Sequence, residues 1–182
     1  MNTILHPMET TTAEYLYGNY VLQSNMRQME QAATWYHDAQ EVAEDVAENL
    51  GVSLEIGASI VSAFSPRERW SSNVAKALAF SQGKPVAGLQ NNYRMAQAAL
   101  ELGFDALKGL KTNAFARAIA GDTDAVVIDV WMMRAALMPT DSPNKSQYNM
   151  LADTVRKIAG EHGITPRTCQ ALIWIVKRGS AS

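Results

Sequence analysis

The chain has 182 residues, of which 47% are hydrophobic and 19% are charged, and its formal net charge at pH 7 is −2. This composition is typical of a globular protein with one substantial core or two small lobes, and no low-complexity tract is present. No apolar run reaches the length of a membrane span and no secretion signal is recognisable, so we expect no membrane segment and a cytoplasmic location.

Helical patterns dominate the chain. Apolar residues recur at helical intervals, and Ser, Thr and Pro stand where helices begin. After an N-terminal arm or extra helix in residues 1–27, the predicted helices span about 28–50, 54–64, 66–81, 89–102, 111–120, 129–137, 145–161 and 165–177. The pair Ser65-Pro66 is interpreted as the cap and first residue of the third of these. The predicted fold class is therefore all-α, with residues 28–182 forming a single helical domain.

The single cysteine and the scattered histidines limit the possible cofactors. Cys169 alone excludes an intrachain disulfide and a four-cysteine iron–sulfur cluster. His6, His37 and His162 form no pair with metal-ligand spacing. We therefore predict no metal site and no cofactor.

Charge is distributed unevenly along the chain. Residues 1–60 contain nine acidic side chains and one basic one, whereas residues 61–182 contain nine acidic and fifteen basic ones. Four of the acidic residues, Glu41, Glu44, Asp45 and Glu48, belong to one predicted helix, which could bind a protein partner. The basic excess favours weak, salt-sensitive DNA binding by the second part, although a solvated acidic helix beside a mildly basic domain explains the same pattern.

The segment from Gly109 to Arg134 contains the most specific pattern. Lys111 follows a short glycine-containing turn and opens a helix, Asp129 ends a hydrophobic run 18 residues later, and Arg134 lies five residues beyond. This layout resembles the catalytic core of the helix-hairpin-helix DNA glycosylase superfamily, which includes endonuclease III. The resemblance covers about residues 50–140 and implies a two-lobed helical fold, with Lys111 and Asp129 facing one cleft.

The hairpin departs from the family pattern. That pattern is close to Leu-Pro-Gly-Val-Gly-Arg-Lys-Thr-Ala, whereas residues 107–114 read Leu-Lys-Gly-Leu-Lys-Thr-Asn-Ala. The segment is two residues shorter and lacks the second glycine, so the hairpin is degenerate. The position after the aspartate where a histidine-like residue is expected holds Trp131.

The resemblance also implies roles for particular residues. Asp129 would stabilise the positive charge that develops on the sugar or activate water, and Lys111 would form a Schiff base or contact a phosphate. The DNA-binding candidates are the hairpin residues Lys108, Gly109, Thr112, Asn113 and Arg117 and the upstream residues Arg67, Arg69, Trp70 and Asn73. Trp70 could instead be a core residue.

Three functional hypotheses stay open. The first is a DNA base-processing enzyme that cleaves an N-glycosidic bond or, like relatives that act in phage base hypermodification, alters the base. The second is a non-catalytic helical module that binds DNA or protein. In the third, a helical domain is unrelated to glycosylases and Asp129 is only an N-cap, a role that Asn would fill almost as well, at a cost well under ~1 kcal/mol.

Overall fold

The computed structural model describes residues 7–179, except for the side chain of Pro7. Residues 1–6 of the predicted arm, including His6, and residues 180–182 lie outside this range. The described part is all-helical and contains no strand, which confirms the predicted class. Its elements are α1 (Pro7–Leu22), α2 (Met26–Leu50), α3 (Leu54–Ala63), α4 (Trp70–Ser81), α5 (Gln90–Leu102), a 3-10 helix (Gly103–Ala106), α6 (Leu110–Ile119), α7 (Val130–Ala135), α8 (Lys145–His162) and α9 (Pro166–Arg178).

The helix starts follow the capping chemistry of the sequence in most places. Ser53 caps α3 and Thr165 caps α9 with Pro166 at its first position, as predicted. Asn144 forms a capping box with Gln147 at the start of α8. No helix in the described residues combines the length and apolar character needed to cross a membrane.

The predicted helix start at Ser65-Pro66 is wrong. Residues after α3 form a turn in which the Glu68 N–H donates to the Ser65 carbonyl (3.2 Å), and Arg67 has a positive φ of 63°. Helix α4 begins only at Trp70. The side-chain amide of Asn92 donates to the carbonyls of Phe64 (3.5 Å) and Pro66 (3.0 Å), so a residue distant in sequence stabilises the turn that local propensity would make a helix.

The chain divides into two compact units, which we name by their place in the sequence. The terminal unit contains the residues up to Trp35 and those from Thr123 onward, and the central unit is Tyr36–Asp122. The predicted glycosylase-like core at about 50–140 contributes to both.

The terminal unit is built from α1, the start of α2 and helices α7 to α9. Helix α1 packs against α8 and α9, and α7 packs against α9. The phenol of the fully buried Tyr17 donates to the carbonyl of Met132 (2.9 Å), which fixes α7 to α1. The apolar run at 125–128 is buried without being helical or a strand. Tyr148 stabilises this run, because its hydroxyl donates to Val126 O (2.8 Å) and accepts from Ile128 N (3.3 Å).

The central unit is organised around α3, which packs against α5 and α6. Seven of its ten residues, from Gly57 to Ala63, are buried. Gly57 allows α3 to approach α2 closely, since a Cβ there would lie 2.2 Å from the Ala43 carbonyl oxygen. The Ser62 hydroxyl donates to the Thr112 carbonyl (2.7 Å) and ties α3 to α6.

Candidate functional site

Asp129 lies at the boundary between the buried run and α7. Its backbone is extended, and its Oδ1 accepts hydrogen bonds from Trp131 N (2.9 Å) and Met132 N (3.0 Å). Asp129 is therefore the N-cap of α7, the local role that the sequence predicts for it. Asp129 as a whole is half-buried.

The second carboxylate oxygen of Asp129 has a partner that the sequence analysis missed. The indole Nε1–H of Trp174, in α9, donates to Oδ2 (3.0 Å). Three N–H donors thus hold the carboxylate in one orientation, two from the backbone of α7 and one from a side chain 45 residues later. No local pattern indicates this contact, because it depends on the packing of α9 against α7.

Two guanidinium groups lie close to the indole rings of Trp131 and Trp174, the residues that donate hydrogen bonds to this carboxylate. Trp174 packs at a tilt against Trp35, with ring centroids 6.2 Å apart. The guanidinium of Arg178 lies 4.4 Å from the centroid of Trp174 and 5.7 Å from that of Trp131. A cation over an aromatic face is attracted by the ring quadrupole, so Arg178 links the two indoles that flank Asp129.

Arg134 also lies close to the Trp131 ring. Its guanidinium lies 5.6 Å from the Trp131 centroid and forms a two-point ion pair with Asp141, with nitrogen–oxygen distances of 2.9 and 2.6 Å. Asp141 raises the pKa of Arg134, and Arg134 lowers the pKa of Asp141. Both groups are exposed, so the pair adds little to stability, but it fixes the guanidinium near Trp131.

The charge of Asp129 acts on two buried phenols of the terminal unit, Tyr17 and Tyr148. Burial raises the pKa of Tyr17 far above its usual value, and the charge of Asp129 raises it further. Burial raises the pKa of Tyr148 to about 12, and the charge of Asp129 contributes in the same direction. Both hydroxyls therefore stay protonated near neutral pH and act as hydrogen-bond donors.

The hairpin of the central unit runs from α5 through the 3-10 helix to α6. Its first residue, Gly103, has φ 55° and ψ −132°, a conformation that L-residues with side chains rarely adopt. Gly109 precedes α6 as its N-cap, and Lys111 is the second residue of that helix. Lys111 is half-buried, and no described residue forms a hydrogen bond or ion pair with its ammonium group.

Other hairpin candidates are used internally. The side-chain amide of Asn113 donates to the carbonyls of Phe104 (3.0 Å) and Leu107 (3.2 Å) and closes the hairpin. Arg117 Nε donates to Asn113 Oδ1 (2.9 Å), and its guanidinium lies over the Phe104 ring at 4.6 Å. Thr112 is 9% exposed. Lys108 and Gly109 are the exposed candidates at the tip.

The upstream DNA-binding candidates also include both exposed and buried residues. Arg67 and Arg69 are exposed in the turn before α4. Trp70 is half-buried and packs edge-on against Phe115, with centroids 6.4 Å apart, which fits the alternative of a core residue. Asn73 is 3% exposed, and its Oδ1 accepts no hydrogen bond from the described residues. The two arginines can therefore contact a phosphate directly, whereas the buried Asn73 cannot.

The basic excess of the second part of the chain does not form a basic unit. The terminal unit has eight acidic and eight basic side chains, and the central unit has ten acidic and eight basic ones. All acidic residues of α2 except Glu30 belong to the same unit as the basic residues of the hairpin, so folding redistributes the charge contrast seen along the sequence. Lys111 belongs to the central unit and Asp129 to the terminal unit.

One group of possible metal ligands occurs among the described residues. The ligand atoms of His37, Asp38 and Glu41 lie within 4.8 Å of one another, and all three residues are exposed on α2. The imidazole of His37 and the carboxylate of Glu41 are 3.6 Å apart, one helical turn along. Such an exposed pair at i, i+4 accounts for the cluster without an ion.

The chain belongs to the family described as a family of unknown function (DUF7178), whose model matches residues 11–181. No curated protein and no solved structure matches the chain.

Proposed function

We propose that this member of the DUF7178 family acts on a base of DNA, with Asp129 as the residue that stabilises the charge developing on the sugar. The observation that carries the proposal is the carboxylate of the half-buried Asp129, which is oriented by three N–H donors. A preoriented carboxylate suits a reaction in which positive charge develops at a defined atom.

The proposed reaction breaks the bond between C1′ of the deoxyribose and the base nitrogen. The electron pair of that bond leaves with the base, and positive charge develops on C1′ and the ring oxygen. Asp129 stabilises this charge. In the hydrolytic route, water bonds to C1′ and loses a proton to the carboxylate. In the lyase route, a lysine amine, for which the sequence offers Lys111, bonds to C1′ and loses a proton; the bond between C1′ and the ring oxygen then breaks, the ring oxygen takes up a proton, and a Schiff base forms.

Trp174 is proposed as a positioning residue. Its indole N–H orients the carboxylate, and its ring packs with Trp35 and Arg178. Replacement by Phe keeps an aromatic ring and removes only the donor. We expect Trp174→Phe to lower the turnover number by about tenfold with little change in KM, because the charge that Asp129 presents to the transition state becomes less well oriented.

Two measurements on the full chain test the proposal. The chain is incubated with oligonucleotides that contain an abasic site or a modified base. Borohydride then traps any Schiff base, and mass spectrometry measures released or altered base. The expected result is base release or alteration that is lost in Asp129→Asn, with any trapped complex lost in Lys111→Met. Lys145→Met, which removes another lysine at a helix start, is the matched control.

The outcomes separate the possible reactions. Base release without trapping indicates water as the nucleophile, and a change in base mass without strand loss indicates modification. Base processing that persists at the wild-type rate in Asp129→Asn overturns the role of Asp129. Absence of any processing across the substrates overturns the enzymatic proposal.

The second candidate function is a non-catalytic module that binds DNA or a protein. The exposed acidic face of α2 favours a protein partner, and the internal use of the Asn113 amide leaves Lys108 and Arg117 as the exposed cations of the hairpin that a DNA phosphate could contact. The double variant Lys108→Ala with Arg117→Ala tests DNA binding at the hairpin. Unchanged DNA affinity in that variant argues against a phosphate-binding hairpin, whereas a uniform loss across sequences supports one.

A further inference from the structure

A cavity of about 290 Å³ lies within the central unit, away from both Lys111 and the residues around Asp129 in sequence. It is lined by side chains of the turn before α4, of α4 and of α5, together with the loop at residues 84–90. The lining residues with polar or aromatic side chains are Phe64, Glu68, Lys76, Lys84, Gln90, Asn92 and Tyr93. The volume is near the lower end of the range of about 300–1,000 Å³ for small-ligand pockets.

Asn92 lines this cavity, and its side-chain amide is held in one orientation. The residue is 3% exposed, and its Nδ2 donates to the carbonyls of Phe64 and Pro66. Those two bonds fix which end of the amide is nitrogen and which is oxygen. No described residue donates to Oδ1, so the carbonyl oxygen is the group that Asn92 can offer to a ligand.

Glu68 provides a second acceptor. Its side chain is 15% exposed, and it is held by an ion pair with Lys76 and by a hydrogen bond from the Ser72 hydroxyl (2.8 Å). The hydrogen bonds from Lys76 and Ser72 lower the pKa of Glu68. Two carboxylate oxygens accept more hydrogen bonds than these donors supply, so lone pairs remain for a donor in the cavity.

Aromatic rings form one wall. Phe64 packs edge-on against Phe80, with centroids 5.7 Å apart, and Phe80 packs edge-on against Tyr93 at 5.6 Å. This arrangement fixes the orientation of Phe64 and Tyr93, which both line the cavity. Phe64 is 1% exposed whereas Tyr93 is half-buried, so Tyr93 is the ring that can offer a surface to a ligand, beside the acceptors of Asn92 and Glu68.

We propose that this cavity binds a nucleobase that carries an exocyclic amino group. Nucleobases have a planar face that stacks on aromatic rings and N–H donors along one edge. An amino group adjacent to a ring N–H or ring nitrogen presents its donors to Asn92 Oδ1 and to the Glu68 carboxylate. The base can come from a free nucleoside or from a nucleotide within single-stranded DNA. The proposal concerns a separate site from Asp129 and does not depend on glycosidic bond cleavage.

Calorimetric titration of the full chain tests the proposal with 2′-deoxyadenosine, 2′-deoxycytidine, 2′-deoxyguanosine and thymidine, and with short single-stranded oligonucleotides in a second arm. We expect at least one amino-bearing nucleoside, or an oligonucleotide rich in it, to bind about tenfold more tightly than its thymidine counterpart. The reason is that thymidine has a single ring N–H flanked by two acceptors and leaves one protein acceptor unpaired.

Substitutions locate the site. Tyr93→Leu removes the aromatic face and is expected to weaken binding at least tenfold, whereas Tyr93→Phe retains it. Arg94→Ala, exposed on the same helix, is the control and is expected to bind like the wild type. The melting temperature of each variant verifies that it is folded.

The two arms and the Asp129 site give distinct outcomes. Binding of nucleosides identifies a free ligand, and binding of oligonucleotides alone identifies a polynucleotide; either supports the proposal when Tyr93→Leu weakens it. Asp129→Asn is expected to leave this affinity unchanged, so failure of base processing and failure of this site are distinguishable. Equal affinity for thymidine, no binding in either arm, or full affinity in a folded Tyr93→Leu variant overturns the proposal.

Discussion

Asp129 in the terminal unit and Lys111 in the central unit differ in how their charged groups are held. Both carboxylate oxygens of Asp129 accept hydrogen bonds, and two of the three donors are backbone groups of α7. The ammonium of Lys111 has no hydrogen-bond or ion-pair partner among the described residues, although the hairpin that carries it is closed by Asn113. The chain therefore fixes the orientation of the carboxylate and only the backbone position of the lysine.

Because the two residues are held differently, the activities of their variants are interpreted differently. A residue that is part of the hydrogen-bond network affects folding and function together, so a loss of activity alone does not assign it a chemical role. A residue with a free charged group can be changed with little effect on the fold, and its loss of activity is informative by itself. Stability measurements must therefore accompany the activity of Asp129 variants, whereas Lys111 variants can be interpreted directly.

The largest effect on stability is expected for Asp129→Ala. The change removes the N-cap and leaves Trp131 N, Met132 N and the indole N–H of Trp174 without their acceptor. We expect a loss of about 2–3 kcal/mol in the free energy of unfolding, measured by urea denaturation. A loss below that of an ordinary exposed cap would show that the three hydrogen bonds are not formed together in solution.

Asp129→Asn separates the contribution of the Trp174 hydrogen bond from that of the helix cap. Its expected cost in the free energy of unfolding is larger than the cost expected from capping alone. Asn keeps an acceptor for the two backbone donors, but its NH₂ group then faces the Trp174 indole N–H, so two donors meet. We expect a cost of about 1–2 kcal/mol instead of well under ~1 kcal/mol. In the Trp174→Phe background, where that donor is absent, the cost of Asp129→Asn should fall below about 0.5 kcal/mol.

Interactions between residues close in sequence could be predicted, whereas contacts that depend on tertiary packing could not. Helix starts set by neighbouring residues, such as those capped by Ser53, Asp129 and Thr165, were predictable because capping is a local interaction. The start of α4 was not, since Asn92 stabilises the preceding turn from 26 residues away. In the same way, the cap role of Asp129 is local, whereas its contact with Trp174 depends on tertiary packing.

The candidate DNA-binding residues show the same limit. Residue type and spacing group Asn113 and Arg117 with Lys108. In the structure the amide of Asn113 closes the hairpin, and Arg117, although exposed, contacts Asn113 and the Phe104 ring, whereas Lys108 is exposed at the tip. Net charge summed along the chain also differs from net charge summed over each unit, because α2 contributes all its acidic residues except Glu30 to the unit that contains the hairpin. Patterns in sequence cannot assign a polar side chain to solvent or to an internal carbonyl.

The next largest effect concerns the backbone of the hairpin. At Gly103, with φ 55°, a Cβ would also lie 2.5 Å from Glu55 Oε1. We expect Gly103→Ala to destabilise the chain by about 2 kcal/mol in thermal or urea unfolding. Gly160→Ala is the matched control: Gly160 lies within α8 with open space around its Cα, so Ala there should stabilise by about 0.5–1 kcal/mol. Equal effects of the two changes would show that the hairpin backbone is not constrained in this way.

A smaller effect is expected for Asn113→Ala. Its amide satisfies the carbonyls of Phe104 and Leu107, which in the variant must find water or stay unpaired. We expect a loss of about 1–1.5 kcal/mol, partly offset by the higher helix propensity of Ala. Asn149→Ala, at an exposed position of α8, should gain a few tenths of a kcal/mol from the same propensity. If both variants gained stability, the amide of Asn113 would not be needed to close the hairpin and would be available to contact DNA.

The smallest effect on stability is expected for Lys111→Met, and this makes it the sharpest test of chemistry. Lys111 is the second residue of α6, where a positive charge is slightly unfavourable beside the positive end of the helix dipole, and no described residue pairs with its ammonium. Met keeps the length and apolar surface of the stem, so the free energy of unfolding should change by less than about 0.5 kcal/mol, as in Lys145→Met at the first position of α8.

If Lys111 forms the Schiff base, borohydride trapping is lost in Lys111→Met and retained in Lys145→Met, while the melting temperatures of both stay near that of the wild type. A loss of more than 1 kcal/mol in Lys111→Met alone would assign the lysine a part in the fold and remove the contrast with Asp129.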